Sequence, residues 1–199
     1  MNNRIFGNSN GLVPAEKLKG KLLVATESMM GTGFAKAVVL LLQDNREGSF
    51  GVILNRPANE QIKQRWRQMS GSPEHVTTQL VEGGPVGGPV FAIHRFQSLG
   101  EMELPGDIFL SSNTETIQQL FDQSPENYRI FLGIAGWKPN QLHSEIQKGY
   151  WHVVESDPED IFDDTQWLWE RSMFRYGDQL LCDLLDINVH ELPLDPALN

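Results

Sequence analysis

A single cysteine, Cys182, stands in 199 residues, so no disulfide forms within the chain and the fold must rest on its apolar core and hydrogen bonds. Leu180, Leu181, Leu184 and Leu185 around it mark the thiol for burial rather than for nucleophilic chemistry. Long apolar runs are missing too: the longest aliphatic stretch, Val38 to Leu42, falls far short of the roughly 20 residues that span a bilayer. The first residues, Met1-Asn2-Asn3-Arg4, lead into polar sequence and not into an apolar signal core, so the expected compartment is the cytoplasm, with no membrane partner. Positive charge is scarce in the last quarter. From Glu155 onward 12 acidic residues stand against Arg171 and Arg175, while residues 1–154 hold 14 of each sign, which puts the whole net charge of −10 at the C-terminal end. Such a stretch repels phosphate backbones, and direct nucleic-acid binding is not expected. The nearest thing to a basic face, Arg56, Lys63, Arg65 and Arg67, reads as the solvated side of a short helix whose Trp66 and Met69 turn inward.

Signatures of catalysis are absent as well. His75, His94, His143, His152 and His190 are scattered, with no pair spaced to place two imidazoles on one helix face, so no metal site is expected. There is no Gly-x-Ser-x-Gly elbow, and Ser28 has no nearby base to activate it. The stretch Gly83-Gly84-Pro85-Val86-Gly87-Gly88-Pro89 lacks the lysine and hydroxyl residue of a phosphate loop, and its prolines remove two N–H donors. It reads as a tight strand connection or as a backbone-lined pocket wall. Gly31-Thr32-Gly33-Phe34-Ala35-Lys36 has no nucleotide-fingerprint spacing and reads as a loop between strands. No cofactor and no catalytic residue follows from these patterns.

What is present is a core. An apolar content of 40% with 21% charged residues suits one globular domain. Strands are expected at Lys21 to Thr26, Lys36 to Gln43, Ser49 to Asn55, Gln79 to Glu82, Val90 to Arg95, Asp107 to Ser111, Tyr128 to Ile134 and Tyr150 to Val154. Asp44-Asn45-Arg46-Glu47-Gly48 has hairpin chemistry and makes its flanking strands antiparallel neighbours. Helices are expected near Asn59 to Met69, after an N-cap at Asn113, from Pro139 to Lys148 and from Thr165 to Tyr176, with a capped first turn at Asp157 to Asp160 and a loop at Gly71-Ser72-Pro73. Strands interrupted by single helices favour a single-domain α+β fold over a doubly wound sheet.

The most telling stretch runs from Phe131 to Ile146, where an apolar strand meets Gly136-Trp137 and a new helix. With Lys138 as N-cap and Pro139 first in the helix, Trp137 and Leu142 have the spacing of a hydrophobic staple, and Gln141 is placed to bond back to the N-cap backbone. Gln141 and Glu145, four apart, project together beside the tryptophan. In the helix Thr165 to Tyr176, Trp169, Met173 and Tyr176 share one face, with Trp167 and Phe174 on its shoulders, a pattern suited to a core element. The division expected is an N-terminal arm at 1–11, a domain at 12–176 and an acidic extension at 177–199. Its leucines make Gln179 to Leu185 a short helix docked on this domain or on a second copy, with the chain extended after Leu192.

Gly20 to Ala25, Phe34 to Val39, Glu47 to Pro57, Gly83 to Val86, and Gly136-Trp137 with Gln141, Leu142 and Glu145 together resemble the bacterial YqgE/AlgH-type family, in the right order over about residues 12 to 176. The resemblance implies a bifurcated, mostly antiparallel sheet folded into a pseudo-barrel with flanking helices. One branch of that family is labelled a transcriptional regulator of alginate synthesis, yet the resemblance supplies no helix-turn-helix and no catalytic residues. This chain departs from the family pattern at Ile134, where tyrosine is customary, and at His143, where an acid is usual. The expected function is that of a binding or regulatory module for a protein or small ligand. Its surface would comprise Asn55, Arg56, Gly83, Gly84, Trp137, Gln141 and Glu145, gathered in one concavity, with Arg56 anchoring an anion. An enzyme using Glu145 and His143 as acid and base is the other expectation.

Overall fold

The computed structural model describes residues 18–71, 74–163 and 165–185. The strands are β1 (Leu22–Ala25), β2 (Val38–Asn45), β3 (Gly48–Ile53), β4 (Leu80–Glu82), β5 (Val86–His94), β6 (Met102–Leu104), β7 (Ile108–Ser111), β8 (Tyr128–Trp137) and β9 (Trp151–Val154). The helices are α1 (Glu60–Ser70), α2 (Thr114–Leu120), α3 (Gln141–Gln147), α4 (Glu159–Phe162) and α5 (Leu168–Leu185). Strand order is β6-β7-β5-β8-β3-β2-β1-β9, with β4 also paired to β8. The β4–β8 pair is parallel and the other pairs of strands are antiparallel.

Strand β8 carries the fork. One of its edges pairs with β5. The other edge pairs first with β4, through Ile130 to Leu132, and then with β3, through Ala135 to Trp137. Because β4 and β5 lie on opposite edges of β8, the segment 83–85 between them must cross that strand. A side chain in the crossing has no room: a Cβ on Gly83 would meet Gly133 O at 2.4 Å, and one on Gly84 would meet Ile134 C at 2.2 Å. Gly133, at φ 78°, supplies the matching gap in β8, where its own Cβ would fall 2.8 Å from Gly84 O and Val86 O. The β5–β8 register shifts between Val86 and Val90 beside this crossing.

The five-residue run Val38 to Leu42 is continuous rather than alternating because the sheet is buried on both faces. On one face Leu22, Val24, Val38, Leu40, Leu42, Val52 and Phe131 form a core closed by Ile161 and Phe162 of α4 and Leu168 of α5. On the other, Leu23, Ala25, Val39, Leu41, Ile53 and Ala135 pack with Leu142 of α3. A third cluster joins Ile117 and Leu120 of α2 to Leu80, Ala92 and Ile130, with Ile62 and Trp66 of α1 at its margin. The result is a single α+β domain whose sheet curls into a half-barrel with flanking helices. No helix among the described residues is long and apolar enough to cross a membrane.

Asn59 caps α1 by accepting from Ile62 N–H, and Asn113 caps α2 by accepting from Glu115 and Thr116 N–H. The elements depart from expectation at several places. β6 is an added strand of three residues made by pairing with β7. β5 begins at Val86 rather than Val90, since Val86 already pairs with Ile134 of β8, and Gly87, Gly88 and Pro89 form an irregularity before Val90 pairs with Leu132. α5 continues through Gly177, so the division expected between residues 176 and 177 falls inside a helix. The arm at 1–11, residues 72 and 73 of the expected loop and the segment after Leu192 lie outside the described residues. Replacing Gly84→Ala is expected to cost about 3 kcal/mol or to prevent folding, whereas Gly31→Ala, whose Cβ meets nothing within 4 Å, is near neutral. Denaturant unfolding of the two variants checks this, and equal stabilities would remove the crossing as a steric constraint.

Candidate functional site

The strand-to-helix corner after β8 is organised by one carboxylate. Glu145 Oε2 accepts the indole N–H of Trp137 at 2.9 Å and that of Trp151 at 2.9 Å, while its Oε1 accepts from Gln141 Nε2 at 2.9 Å. Both indoles are buried, so the carboxylate satisfies donors that would otherwise be lost to the interior. Gln141 Oε1 in turn accepts from Lys138 N–H at 3.0 Å, as the staple reading expected. The helix start itself differs from that reading. Trp137 is the last residue of β8, Pro139 and Asn140 form a turn with Asn140 at φ 62°, and α3 begins at Gln141. A Pro-Asn pair has this geometry because proline fixes the first turn position and asparagine tolerates positive φ at the second.

A phenylalanine from far upstream completes the corner. Phe34 stacks on Trp137 at 6.3 Å between centroids and meets Trp151 edge-on at 5.5 Å, with the two indoles edge-to-face at 5.8 Å. The loop that carries Phe34 is pinned from several sides. Arg56 Nη2 donates to Gly33 O, and Asn55 Nδ2 donates to Lys36 O at 2.8 Å while its Oδ1 accepts from Val38 N–H at 3.0 Å. Lys36 Nζ pairs with Glu170 at 3.0 Å and lies 4.9 Å above the Trp169 ring. Met30, Gly31, Thr32 and Gly33 remain exposed above these anchors.

The expected site residues therefore fall into three groups. Trp137, Gln141 and Glu145 are brought together, bonded to one another. Asn55 and Arg56 leave the far end of β3 from Ser49, the residue level with Trp137, and meet that group through the loop of Phe34. Gly83 and Gly84 are buried in the strand crossing; the Gly83 N–H is bonded to Leu132 O at 2.9 Å and its carbonyl to Ile53 N–H at 2.8 Å. That donor is spent on the sheet, which corrects the expectation that it faces a ligand. The guanidinium of Arg56, expected to anchor an anion, is occupied in part by a backbone carbonyl. The supposed basic face of α1 is offset by acids, with Lys63 and Arg67 on Glu60 and Arg67 also on Glu74.

Sequence reasoning missed Phe34 and one polar cluster. Asp44, with a side chain 1% exposed, holds His143 Nε2 at 3.0 Å and accepts the hydroxyl of Ser49. Serine and histidine both face the carboxylate, so the imidazole does not activate the serine, and the arrangement lacks the relay of a hydrolytic triad. Among the described residues no three of His, Cys, Asp and Glu are gathered as metal ligands. Two histidines carry lowered pKa values. His94, fully buried, is held below its ordinary 6.5 by desolvation, against the opposing charge of Glu101, and Phe96 N–H donates to its Nδ1, which marks that nitrogen as the unprotonated one. Its Nε2 then donates to Ser111, so the ring stays neutral with both nitrogens satisfied. Burial also lowers His152, stacked on Tyr176 at 3.7 Å.

A family model described as AlgH-like matches residues 22–181 of this chain. The chain is 35% identical to a UPF0301 protein of Streptomyces avermitilis, over 96% of this chain and 100% of that protein. It is 35% identical to a UPF0301 protein of Chlorobium chlorochromatii, over 81% and 88%. Among solved structures it is similar to the solution structure of the AlgH protein from Pseudomonas aeruginosa, with TM-score 0.66 and 27% identity over 86% of this chain and 94% of that one. A crystal structure of a protein from Corynebacterium diphtheriae superimposes with TM-score 0.60 and 25% identity, over 79% and 86%.

Two expectations follow. Glu145→Ala orphans two buried indole N–H groups and is expected to cost about 3 kcal/mol with red-shifted tryptophan emission, while Glu145→Gln, which keeps one acceptor oxygen, costs about half as much. An unchanged unfolding midpoint for Glu145→Ala would show the carboxylate to be dispensable to the corner. The second concerns pH. Above 6.5 His94 and His152 are neutral in both states; below it the unfolded chain takes up protons that the folded chain refuses, so stability falls as pH drops. Unfolding measured between about pH 7 and 5 should show this loss, and His94→Gln should flatten the slope by up to one proton.

Proposed function

The chain belongs to the AlgH-like family, and on that footing we propose that it is a cytoplasmic binding or regulatory module that engages a protein partner or small ligand at the loop of residues 30–34. The observation that carries this reading is the convergence of Asn55, Arg56 and Trp137 on that loop, so that polar and aromatic groups from two distant parts of the chain hold four small or flexible exposed residues in place. Loops fixed on a rigid scaffold in this way are common seats of recognition. The spent carboxylate of Glu145 and the serine-to-aspartate bond of Ser49 favour binding over catalysis. Any influence on transcription would run through a partner, because a neutral body with an acidic C-terminal quarter gives DNA no counter-charge.

A photo-crosslinking amino acid placed at Met30 in the producing bacterium is expected to trap a discrete adduct, with none from the exposed control position Asp122, and Arg56→Ala should reduce the trapped fraction several-fold by freeing the loop. Equal trapping at both positions would sink the assignment of the surface. In a parallel arm, a sequence-dependent gel shift by the isolated protein at about 0.15 M salt, surviving competitor DNA, would replace it with direct DNA binding.

A further inference from the structure

Between the turn at 97–99 and the end of α2 the surface sinks into a cleft of about 320 Å³, lined by Phe96, Ser98, Leu99, Gln119, Asp122 and Gln123. Both of its walls are fixed from behind. In the turn, Phe96 N–H donates to Nδ1 of buried His94 and Leu99 N–H donates to Phe96 O at 3.1 Å, while the Ser111 hydroxyl, itself bonded to His94 Nε2, donates to Leu99 O. The facing wall is α2, anchored in the core by Ile117 and Leu120. Glu101 ties the two walls together: just after the turn, its carboxylate accepts Ser112 N–H at 3.1 Å and Asn113 N–H at 2.8 Å at the head of α2. A concavity held in this way exists before any ligand arrives, and its volume lies at the lower end of the range for small-molecule sites.

The lining carries one charge, the carboxylate of Asp122, and no basic side chain. Neighbouring groups leave that charge uncompensated. Arg95 turns away, 4.6 Å above the Phe162 ring and 3.9 Å from Glu159, and His75 Nε2 is engaged by Phe121 O at 2.9 Å. His94, behind the turn, is neutral, and Glu101 adds a second carboxylate. Among the described residues the side chains of Ser98, Gln119, Asp122 and Gln123 make no hydrogen bond or ion pair, which leaves their oxygens open to a ligand rich in N–H donors. Phe96 and Leu99 supply apolar surface, and an aromatic ring attracts a cation further. We propose that this cleft binds a small organic cation, an ammonium or amidinium group on a compact apolar body, with Asp122 as counter-ion, Ser98 and the two glutamines as acceptors, and Phe96 and Leu99 against the apolar part. A carboxylate this exposed is screened by solvent, so binding is weak, with Kd on the order of 1 mM. The cleft lies by the β5–β7 wing, away from the loop of residues 30–34, and stands or falls apart from that reading. Because Asp122 is the anchor, any residue put in its place removes the site, and position 122 stays silent in crosslinking.

Titration of the full, isotope-labelled chain with benzamidine, read by amide NMR shifts, tests the proposal, with benzamide as a neutral probe of the same shape. Benzamidine should move the signals of residues 96–99 and 119–123 as one group and saturate in the millimolar range, and benzamide should bind about fivefold more weakly, the worth of one exposed charge pair. Asp122→Asn, at an exposed position and therefore without effect on melting, should lower the affinity for benzamidine about fivefold and leave that for benzamide unchanged. The site is overturned by an absence of grouped shifts at about 10 mM benzamidine, or by shifts centred elsewhere on the chain. Equal affinity for the two probes, or an Asp122→Asn variant that binds benzamidine as the wild type does, refutes the assignment of a cation.

Discussion

The sheet divides where a stretch of chain without side chains passes over another residue that has none. Gly83 and Gly84 cross β8 at Gly133, with hypothetical Cβ contacts between 2.2 and 2.8 Å at all three positions. Contacts that short to backbone atoms are not relieved by a change of rotamer, so the crossing depends on glycine itself. It allows β4 and β5 to occupy opposite edges of β8 with only three residues between them, and so allows β8 to pair with β3 in its second half. Everything downstream depends on that exchange. The β3-β2-β1-β9 wing gains its two-sided core, and the end of β8 is delivered to the corner where Trp137 meets Trp151.

That corner repeats the same economy with a charge instead of a void. Two indoles and an amide from three elements converge on one carboxylate, and each donor is satisfied by an acceptor that is itself fully engaged. A buried network that is complete rigidifies its surroundings, whereas one lacking a member costs more than the bonds it loses. Phe34 couples this rigidity to the loop above it, and Arg56 and Asn55 tie the same loop to the end of β3. The residues that resemble family motifs thus build the platform, and the exposed atoms belong to a glycine-containing loop that carries no catalytic signature of its own.

Much of this was legible in the chain wherever a local pattern decided the outcome. β1, β2 and β3 are runs of branched and aromatic residues bounded by turn residues, and Asn59 and Asn113 announce their helices through cap chemistry. What escaped was decided by neighbours distant in sequence. Met102-Glu103-Leu104 is too short a run to specify a strand by itself and becomes one against β7. Gly87-Gly88-Pro89 reads as a turn, yet it lies within β5 as an irregularity between Val86 and Val90, which pair with Ile134 and Leu132 of β8. Gln141 and Glu145 were visible as a pair beside a tryptophan, but nothing local reveals that Trp151 and Phe34 complete the set. Asp44 looked like hairpin chemistry; the bulge after Leu41 turns it inward, where His143 and Ser49 meet it.

A sheet covered on both faces restricts where this protein meets others. Its faces are closed by α3 on one side and by α4 and α5 on the other, and its polar networks are largely satisfied from within. What stands above the closed core is the exposed loop at 30–34 and the outer side of α5. These two regions are linked, since Lys36, at the end of the loop, pairs with Glu170 and lies over Trp169 in the first turn of α5. A surface ion pair of this kind contributes little to stability, on the order of 1 kcal/mol or less. It does, however, give the loop and the helix a shared contact, so that ordering one restricts the other. A displacement of the loop is therefore felt at the base of the helix through a contact weak enough to be remade.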